Sequence, residues 1–271
     1  MNKSAKKNMW TVILSVALVI VVGVCAYFGF RVVKRVQEQK MYSQIASDDS
    51  EFTGQIKGDA PVVPDVFDEK MNNPVNWEKL TSYNDELYAW IYIPNTGVSY
   101  PVAQHGGDDP TDSRAYFYLK HDLYKKWAYC GCIFTQTGTP KDFGNTGNMV
   151  IYGHNMENNY MFANLHKFDD KQFFDNNRYF YIYTPEHAYK YEIYARFDTG
   201  SFNLNAQYNF FKTKKDCASF LEGVRLSSDM NSHIREEAAP GANDKLVTLS
   251  TCITGQPSKR LLVVGVLIDE K

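Results

Sequence analysis

The residues from Met9 to Phe30, MWTVILSVALVIVVGVCAYFGF, carry no charge, and this run constrains the chain more than any other feature. About 20 apolar residues rising ~1.5 Å each span the hydrocarbon core of a bilayer, so a transmembrane helix over 9–30 is expected. A cleavable signal has a shorter apolar core, roughly 7–15 residues, followed by a small-residue cleavage site, and no such site follows cleanly here. Flanking charge does not orient the helix. Lys3, Lys6 and Lys7 on one side face Arg31, Lys34, Arg35 and Lys40 on the other, nearly a tie under the rule that basic residues stay on the cytoplasmic side.

The rest of the chain is of another kind. The total of 29 basic against 31 acidic residues lacks the strongly basic domain of a nucleic-acid binder, so no nucleic-acid partner is expected. The basic excess sits in the first 40 residues; positions 41–271 carry 22 basic and 30 acidic side chains. With 44% apolar residues in a chain of 271, this body is large enough to bury one large core or two small ones.

Residues 31–58 are polar and charged, and APVVP at 60–64 supplies two prolines, which predicts a stalk or short helix followed by a linker. Residues 65–88 mix helical patches with Asn-Pro breaks and predict a helical region. Beyond it lie short β-rich runs at 88–93, 98–103, 130–134, 148–153, 179–184, 189–197, 246–252 and 261–268. Many short strands bounded by Gly, Pro, Asn and Asp favour a sandwich or barrel. Two helices are expected between them, near 159–168 and 214–226. No GxxxxGK[ST], GxGxxG or HExxH occurs, so nucleotide and zinc-protease chemistry have no motif to rest on.

Cys25 falls within the apolar run, leaving Cys130, Cys132, Cys217 and Cys252 in the body. An even count permits two disulfides without demanding them. Cys217, Phe220, Leu221 and Val224 follow the spacing of a helix's buried face, which makes Cys217 a core residue. Cys130 and Cys132 flank Gly131 in a strand-like YCGCIF, on one face. They lack a second cluster of ligands, and no metal site is expected.

Chemistry concentrates in the last third. In KLVTLSTC, alternation puts Thr248, Ser250 and Cys252 on one face and Val247, Leu249 and Thr251 on the other. The segment ITGQPSK follows as a seven-residue loop, and Arg260 opens the next strand, RLLVVGVLI. Antiparallel pairing would set Cys252 beside Arg260 at one rim. A cation beside a thiol favours the thiolate, although this segment by itself reads equally well as a buried cysteine and a surface arginine. His154, in GNMVIYGHNM, leaves a short buried strand at a loop after Gly153, where cleft residues are commonly displayed. A lone histidine is usually structural, yet a cysteine nucleophile needs an imidazole to move protons to and from an amine. His105, His121, His166, His187 and His233 lie scattered in polar segments and are given no role.

TLSTC at 248–252, Arg260 eight positions on and YGHN at 152–155 together resemble the signature of the sortases, membrane-anchored cysteine transpeptidases of Gram-positive bacteria. ELYAWIYIPNTGVSYPVAQ at 86–104, GCIFT at 131–135 and NMVIYGHNMENNYMFANLHKF at 148–168 are similar to class B, with its long helix-bearing insertion before the final strands. One departure is visible: ITGQPSK lacks the acidic residue that many class B enzymes carry between Cys and Arg, so no role is carried over for such a carboxylate. The resemblance implies a mainly β fold, an eight-stranded barrel with peripheral helices, preceded by a helical segment and the single membrane helix. It implies that Cys252 attacks the sorting motif of an exported protein, that His154 shuttles protons, and that Arg260 holds the substrate backbone. Ser250, Thr251 and Tyr152 would line the pocket. Expected partners are sorting-motif-bearing secreted proteins, an amine of the peptidoglycan precursor, cross-bridge or pilin, and the plasma membrane; no cofactor is implied. Residues 1–8 would be a cytoplasmic tail, 31–80 a stalk with a helical region, and 81–271 an extracellular catalytic domain. Two other readings of the residues stand beside this: an L,D-transpeptidase-like wall enzyme, whose familiar SxGC-type motif is absent around Cys252, and a catalytically silent surface-binding module.

Overall fold

The computed structural model describes residues 3–48, 73–106, 115–144, 147–157, 159–200, 214–227 and 230–271. The chain divides into two units, Met1–Tyr42 and Ser43–Lys271. The first is a helix, α1 (Lys3–Asp48), whose interior carries no proline. Its apolar side chains from Met9 to Val36 are exposed, Val19 at 72% and Leu18 at 64%, and an 18-residue window within Asn8–Gln44 reaches a mean hydropathy of 2.7. A helix apolar all round needs an apolar environment, and this one is long and apolar enough to cross a bilayer by length and composition. Where a stalk is expected after Phe30, the helix continues through RVVKRVQEQKMYSQ, a stretch rich in Lys, Arg, Gln and Glu, all good helix formers. The proline-bearing linker at 60–64 lies outside the described residues.

After the end of α1, the next described helix of the second unit is α2 (Trp77–Tyr83), capped by the Asn76 side chain accepting from the Lys79 N–H. Among the described residues nine strands follow: β1 (Leu87–Ile93), β2 (Val98–Ala103), β3 (Ile133–Phe134), β4 (Asn148–Tyr152), β5 (Tyr179–Tyr183), β6 (Ala188–Gly200), β7 (His233–Ile234), β8 (Leu246–Ile253) and β9 (Gln256–Glu270). Their order is β5-β1-β2-β3-β4-β8-β9-β6-β7, and β5 pairs again with β6. The eight strands other than β7 thus close into a barrel, with the two-residue β7 appended to β6. Closure removes the edges that would otherwise be open to another chain. The pairs β2–β3 and β4–β8 are parallel and the rest antiparallel.

All eight expected strands are present, with shifted limits. The run at 130–134 shrinks to Ile133–Phe134 because Gly131 stands at φ +58°, outside strand geometry. Cys130 and Cys132 therefore flank a turn and share no strand face; both are buried free thiols. The helix expected near 159–168 is a 3-10 helix, Phe162–Asp169, followed by α3 (Lys171–Asn176) with Asp170 as its N-cap.

Both faces of the β4–β8–β9–β6 wall are covered. Cys217, Phe220, Leu221 and Val224 of α4 (Lys214–Arg225) pack with Val150, Phe197, Leu246, Leu262, Val264 and Val266, each such side chain contributing roughly 1.5–3 kcal/mol when fully buried. Cys217 is the core residue its spacing predicts, 3% exposed. Directly paired residues share a sheet face. The pairs Val150↔Thr248, Thr248↔Val264, Tyr152↔Ser250, Ser250↔Leu262 and Cys252↔Arg260 therefore carry the α4-covered face on to the barrel rim. Cover runs out at Cys252 and Arg260, both half-exposed.

Candidate active site

Alternation delivers Cys252 to the rim, and the hairpin brings Arg260 opposite it. The connection is tighter than a seven-residue loop: β9 begins at Gln256, and only Thr254 and Gly255 turn the chain, Gly255 at φ +75°. Ile253 pairs with Gln256 while Cys252 pairs with Arg260, so Pro257, Ser258 and Lys259 form a bulge on β9. A proline has no N–H for a central ladder and is tolerated at such a bulge. The bulge still returns Arg260 to the expected place. Its Nη1 donates to the carbonyls of Pro257 (2.9 Å) and Lys259 (2.8 Å), which leaves Nε and Nη2 without a protein acceptor among the described residues.

His154 follows the end of β4. The Gly153 N–H donates to the Ser250 carbonyl at 3.1 Å, tying this turn to β8 two residues before Cys252. A Cβ on Gly153 would lie 2.5 Å from Ile133 Cδ1 and 2.6 Å from Phe162 Cγ, so glycine is what lets the chain pass there. His154 Nε2 donates to the Leu119 carbonyl at 2.7 Å. A carbonyl only accepts, so Nε2 carries a proton and Nδ1 is the ring position free to give or take one. Burial holds the His154 imidazole below the ordinary histidine range; the Leu119 carbonyl opposes this, and the charges of Arg260 and Lys120 push further down.

The Leu119 carbonyl is itself fixed. Tyr118 donates to Glu86 at 2.5 Å and accepts from Asn84 at 2.7 Å, and the Cys132 N–H donates to the Tyr118 carbonyl at 2.9 Å. A Cβ on Gly131 would sit 2.4 Å from the Tyr118 oxygen and 2.8 Å from that of Leu119. Gly131→Ala is therefore expected to lose about 1–3 kcal/mol of stability in chemical denaturation, and to lower peptide turnover by displacing the acceptor of His154.

Tyr152 stacks on Phe134 at 5.4 Å and meets Tyr116 edge-on at 6.1 Å, with its hydroxyl donating to Gln136 Oε1 at 3.3 Å. Burial pushes its phenol up, Tyr116 adds to this, and the charge of Arg260 opposes it. Tyr152 and Ser250 thus share the face of Cys252. Thr251 does not: it pairs with Leu261 on the opposite face, is 1% exposed, and its hydroxyl has no hydrogen-bond partner. Its side chain is turned away from the pocket by the alternation of β8, and the expectation that it lines the pocket is corrected on that ground.

Two neighbours were not legible as site residues. The Cys252 carbonyl accepts from Asn155 Nδ2 at 2.9 Å and from His166 Nε2 at 3.1 Å. His166 Nδ1 meets Asp169 Oδ2 at 3.1 Å. The H-x-x-D spacing in LHKFD was the available signal, since residues i and i+3 meet on a helical turn. Among the described residues, no group of three His, Cys, Asp or Glu side chains converges as a metal site. A cavity of about 630 Å³ lies elsewhere, lined by Tyr88, Lys141, His187, Tyr189 and Glu270 among others; it contains no residue of the Cys252 cluster and no cysteine.

Set beside known proteins, residues 91–268 match the Sortase domain family model. The chain is similar to Sortase B of Listeria monocytogenes, 28% identical over 260 residues that cover 93% of this chain and 95% of the relative. Among solved structures, Clostridium perfringens sortase B superposes with a TM-score of 0.61 at 28% identity, covering 71% of this chain and 99% of the other. A Staphylococcus aureus sortase B-substrate complex superposes at TM-score 0.65, with 20% identity over 88% of this chain and 99% of that one, a likeness of fold.

Proposed function

The chain belongs to the sortase family, class B, a cysteine transpeptidase of cell-wall anchoring, and on that premise we propose that Cys252, His154 and Arg260 are its catalytic residues. What supports this reading is one observation: the only half-exposed thiol of the second unit is cross-strand partner to Arg260, and the turn carrying His154 is bonded to the same strand.

The chemistry follows. Cys252 Sγ, its proton passed to His154 Nδ1, attacks as the thiolate on the carbonyl carbon of a peptide bond in a C-terminal sorting motif. As that C–N bond breaks, His154 Nδ1 gives a proton to the departing amine, and a thioester to Cys252 remains. An incoming amine then attacks the thioester and loses a proton to Nδ1, and the C–S bond breaks to leave the Cys252 thiolate beside the His154 imidazolium. Arg260, through Nε and Nη2, holds the substrate backbone and steadies the developing oxyanion, an interaction strengthened where water is excluded. Tyr152 and Ser250 line the pocket. The donor is a secreted protein bearing the motif, as the sortase B-substrate complex suggests by its fold likeness, and the acceptor is an amine of the peptidoglycan precursor, cross-bridge or pilin.

Residues 9–30 act as the membrane anchor, with 1–8 cytoplasmic, 31–80 as stalk and 81–271 as the extracellular catalytic domain, because the substrates are exported. The test is mass spectrometry of the full chain with LPxTG-type and NPxTN-type peptides. An acyl adduct on Cys252 is expected, and peptide cleavage without any adduct on Cys252 would overturn the assignment.

Arg260→Lys is expected to lower kcat/KM by about 100-fold. An ammonium is a point charge, and it cannot hold two hairpin carbonyls while presenting a planar fork to substrate. Turnover near that of the wild type would show that Arg260 supplies charge alone.

A further inference from the structure

We infer that His166, working with Asn155, is a positioning residue for the nucleophile: an imidazolium clamped between Asp169 and the Cys252 carbonyl fixes the backbone turn from which the Cys252 thiol projects. The inference rests on reading Cys252 as the nucleophile.

The strand itself does not secure that turn. The β8–β9 register breaks between Cys252 and Ile253, where the hairpin and the bulge on β9 begin. The Cys252 carbonyl is instead taken by two side chains, Asn155 Nδ2 at 2.9 Å and His166 Nε2 at 3.1 Å. Asn155 also donates to Thr254 Oγ1 at 3.1 Å, so Asn155 braces both ends of the Cys252–Thr254 segment while His166 holds its first carbonyl.

The acceptors on either side of His166 dictate its charge. Nε2 faces a carbonyl oxygen and Nδ1 faces a carboxylate oxygen, and neither can donate. Nε2 also lies 3.2 Å from Asn155 Nδ2, but the two hydrogens of that amide are directed at the Cys252 carbonyl and Thr254 Oγ1, its shorter contacts. A neutral imidazole, with one N–H, would then leave one of its two contacts lone pair to lone pair; the imidazolium satisfies both. Asp169 is committed in turn. Its Oδ1 accepts from Arg196 Nε at 2.7 Å and lies 2.6 Å from Arg196 Nη2, and its carbonyl meets His233 Nε2 at 2.9 Å. Arg196 is 1% exposed and also reaches Asp198 at 3.0 Å and the Asn231 carbonyl at 3.1 Å. The charged groups facing His166 are thus Asp169 from its own 3-10 helix and, from β6, Arg196 with its second carboxylate Asp198. The bond to Asp169 holds the His166 imidazolium above the ordinary histidine range, with burial and Arg196 opposing and the Cys252 carbonyl assisting.

The sign follows from the direction. A raised value means the clamp is intact at neutral pH and is lost as pH rises through it. The clamp acts on the backbone that carries the nucleophile, so its effect belongs in the chemical step more than in binding.

The experiment is peptide cleavage by the full chain in detergent from about pH 5.5 to about pH 9, with thermal unfolding followed in parallel, for Cys252→Ala, His166→Leu, His166→Gln and Asp169→Asn. His166→Leu is expected to lower kcat about 10- to 100-fold with KM within about 3-fold of wild type, the scale of a small misplacement of a reacting group. His166→Gln, which keeps a donor and cannot titrate, restores most of kcat and moves the alkaline limb to higher pH. Asp169→Asn, which keeps an acceptor for Arg196 and removes the charge, moves that limb to lower pH. A folded His166→Leu with wild-type kcat, or a His166→Gln no better than His166→Leu, overturns the clamp. If His166→Leu does not fold, the direction of the limb in Asp169→Asn decides, and an unmoved limb overturns it. Cleavage surviving in Cys252→Ala would instead sink the nucleophile assignment, an outcome separate from these.

Discussion

Cys252→Ala is expected to take cleavage of a sorting peptide below detection, a loss on the order of 10³-fold or more, while leaving stability within about 1 kcal/mol of wild type. The thiol projects from a half-exposed position at the end of β8, so removing its sulfur opens no deep cavity. No other cysteine of the second unit can take over. Cys130 is 0% exposed, Cys132 1% and Cys217 3%, and burial pushes the Cys217 thiol up, with Asp244 adding to it. These burials also limit a simpler test. A silent surface-binding module would have no use for a reactive thiol, which suggests comparing alkylation of Cys252 with that of Cys217. Exposure alone makes Cys252 the faster of the two, so that comparison cannot separate enzyme from module. Peptide cleavage can: a silent module cleaves nothing in the wild type, and a sortase using another nucleophile still cleaves in Cys252→Ala.

The barrel was legible because each strand announces itself over a few residues. LYAWIYI, YFYIY and RLLVVGVLI are β-branched and aromatic runs that pack on both faces of a closed sheet, and turn residues punctuate them. The Cys252–Arg260 pairing was legible for a related reason, since a hairpin sets the ends of its strands side by side. What failed is what depends on distant chain. Gly131 ends the run at 130–134 through a backbone conformation imposed by the passing carbonyls of Tyr118 and Leu119. The tight turn at Thr254–Gly255 was obscured because the bulge at Pro257–Lys259 adds residues that make the hairpin resemble an open loop. Thr251 was placed in the pocket by the family resemblance, although the same alternation that orients Cys252 turns Thr251 away. His166 stayed hidden because its partner is a backbone carbonyl 86 residues on, and no local pattern encodes that contact.

His154→Ala should lower kcat by about 10²- to 10⁴-fold, the usual contribution of a positioned general acid and base, with little change in KM because the ring serves proton transfer more than binding. The bond from Nε2 to the Leu119 carbonyl fixes the ring and its tautomer, leaving Nδ1 as the proton-carrying position. Alanine also removes that bond, so a loss could reflect a loosened turn after Gly153. His154→Gln separates the two, since an amide N–H can reach the Leu119 carbonyl while no amide shuttles protons near neutral pH. Both variants are therefore expected to be inactive, and His154→Gln is expected to unfold at the wild-type temperature. The pH profile gives an independent check. With His154 held below the ordinary histidine range by burial, and pushed further by Arg260 and Lys120, the imidazolium needed to protonate the leaving amine is a minor species at pH 7. Turnover should be slow, and kcat/KM bell-shaped in pH, with its acid limb below the free-imidazole value of about 6.5. Arg260→Gln, which removes a cation from beside the ring, should move that limb upward even as it lowers the rate. An acid limb that stays in place in Arg260→Gln, or substantial kcat in a folded His154→Gln, would assign the proton transfers to another group.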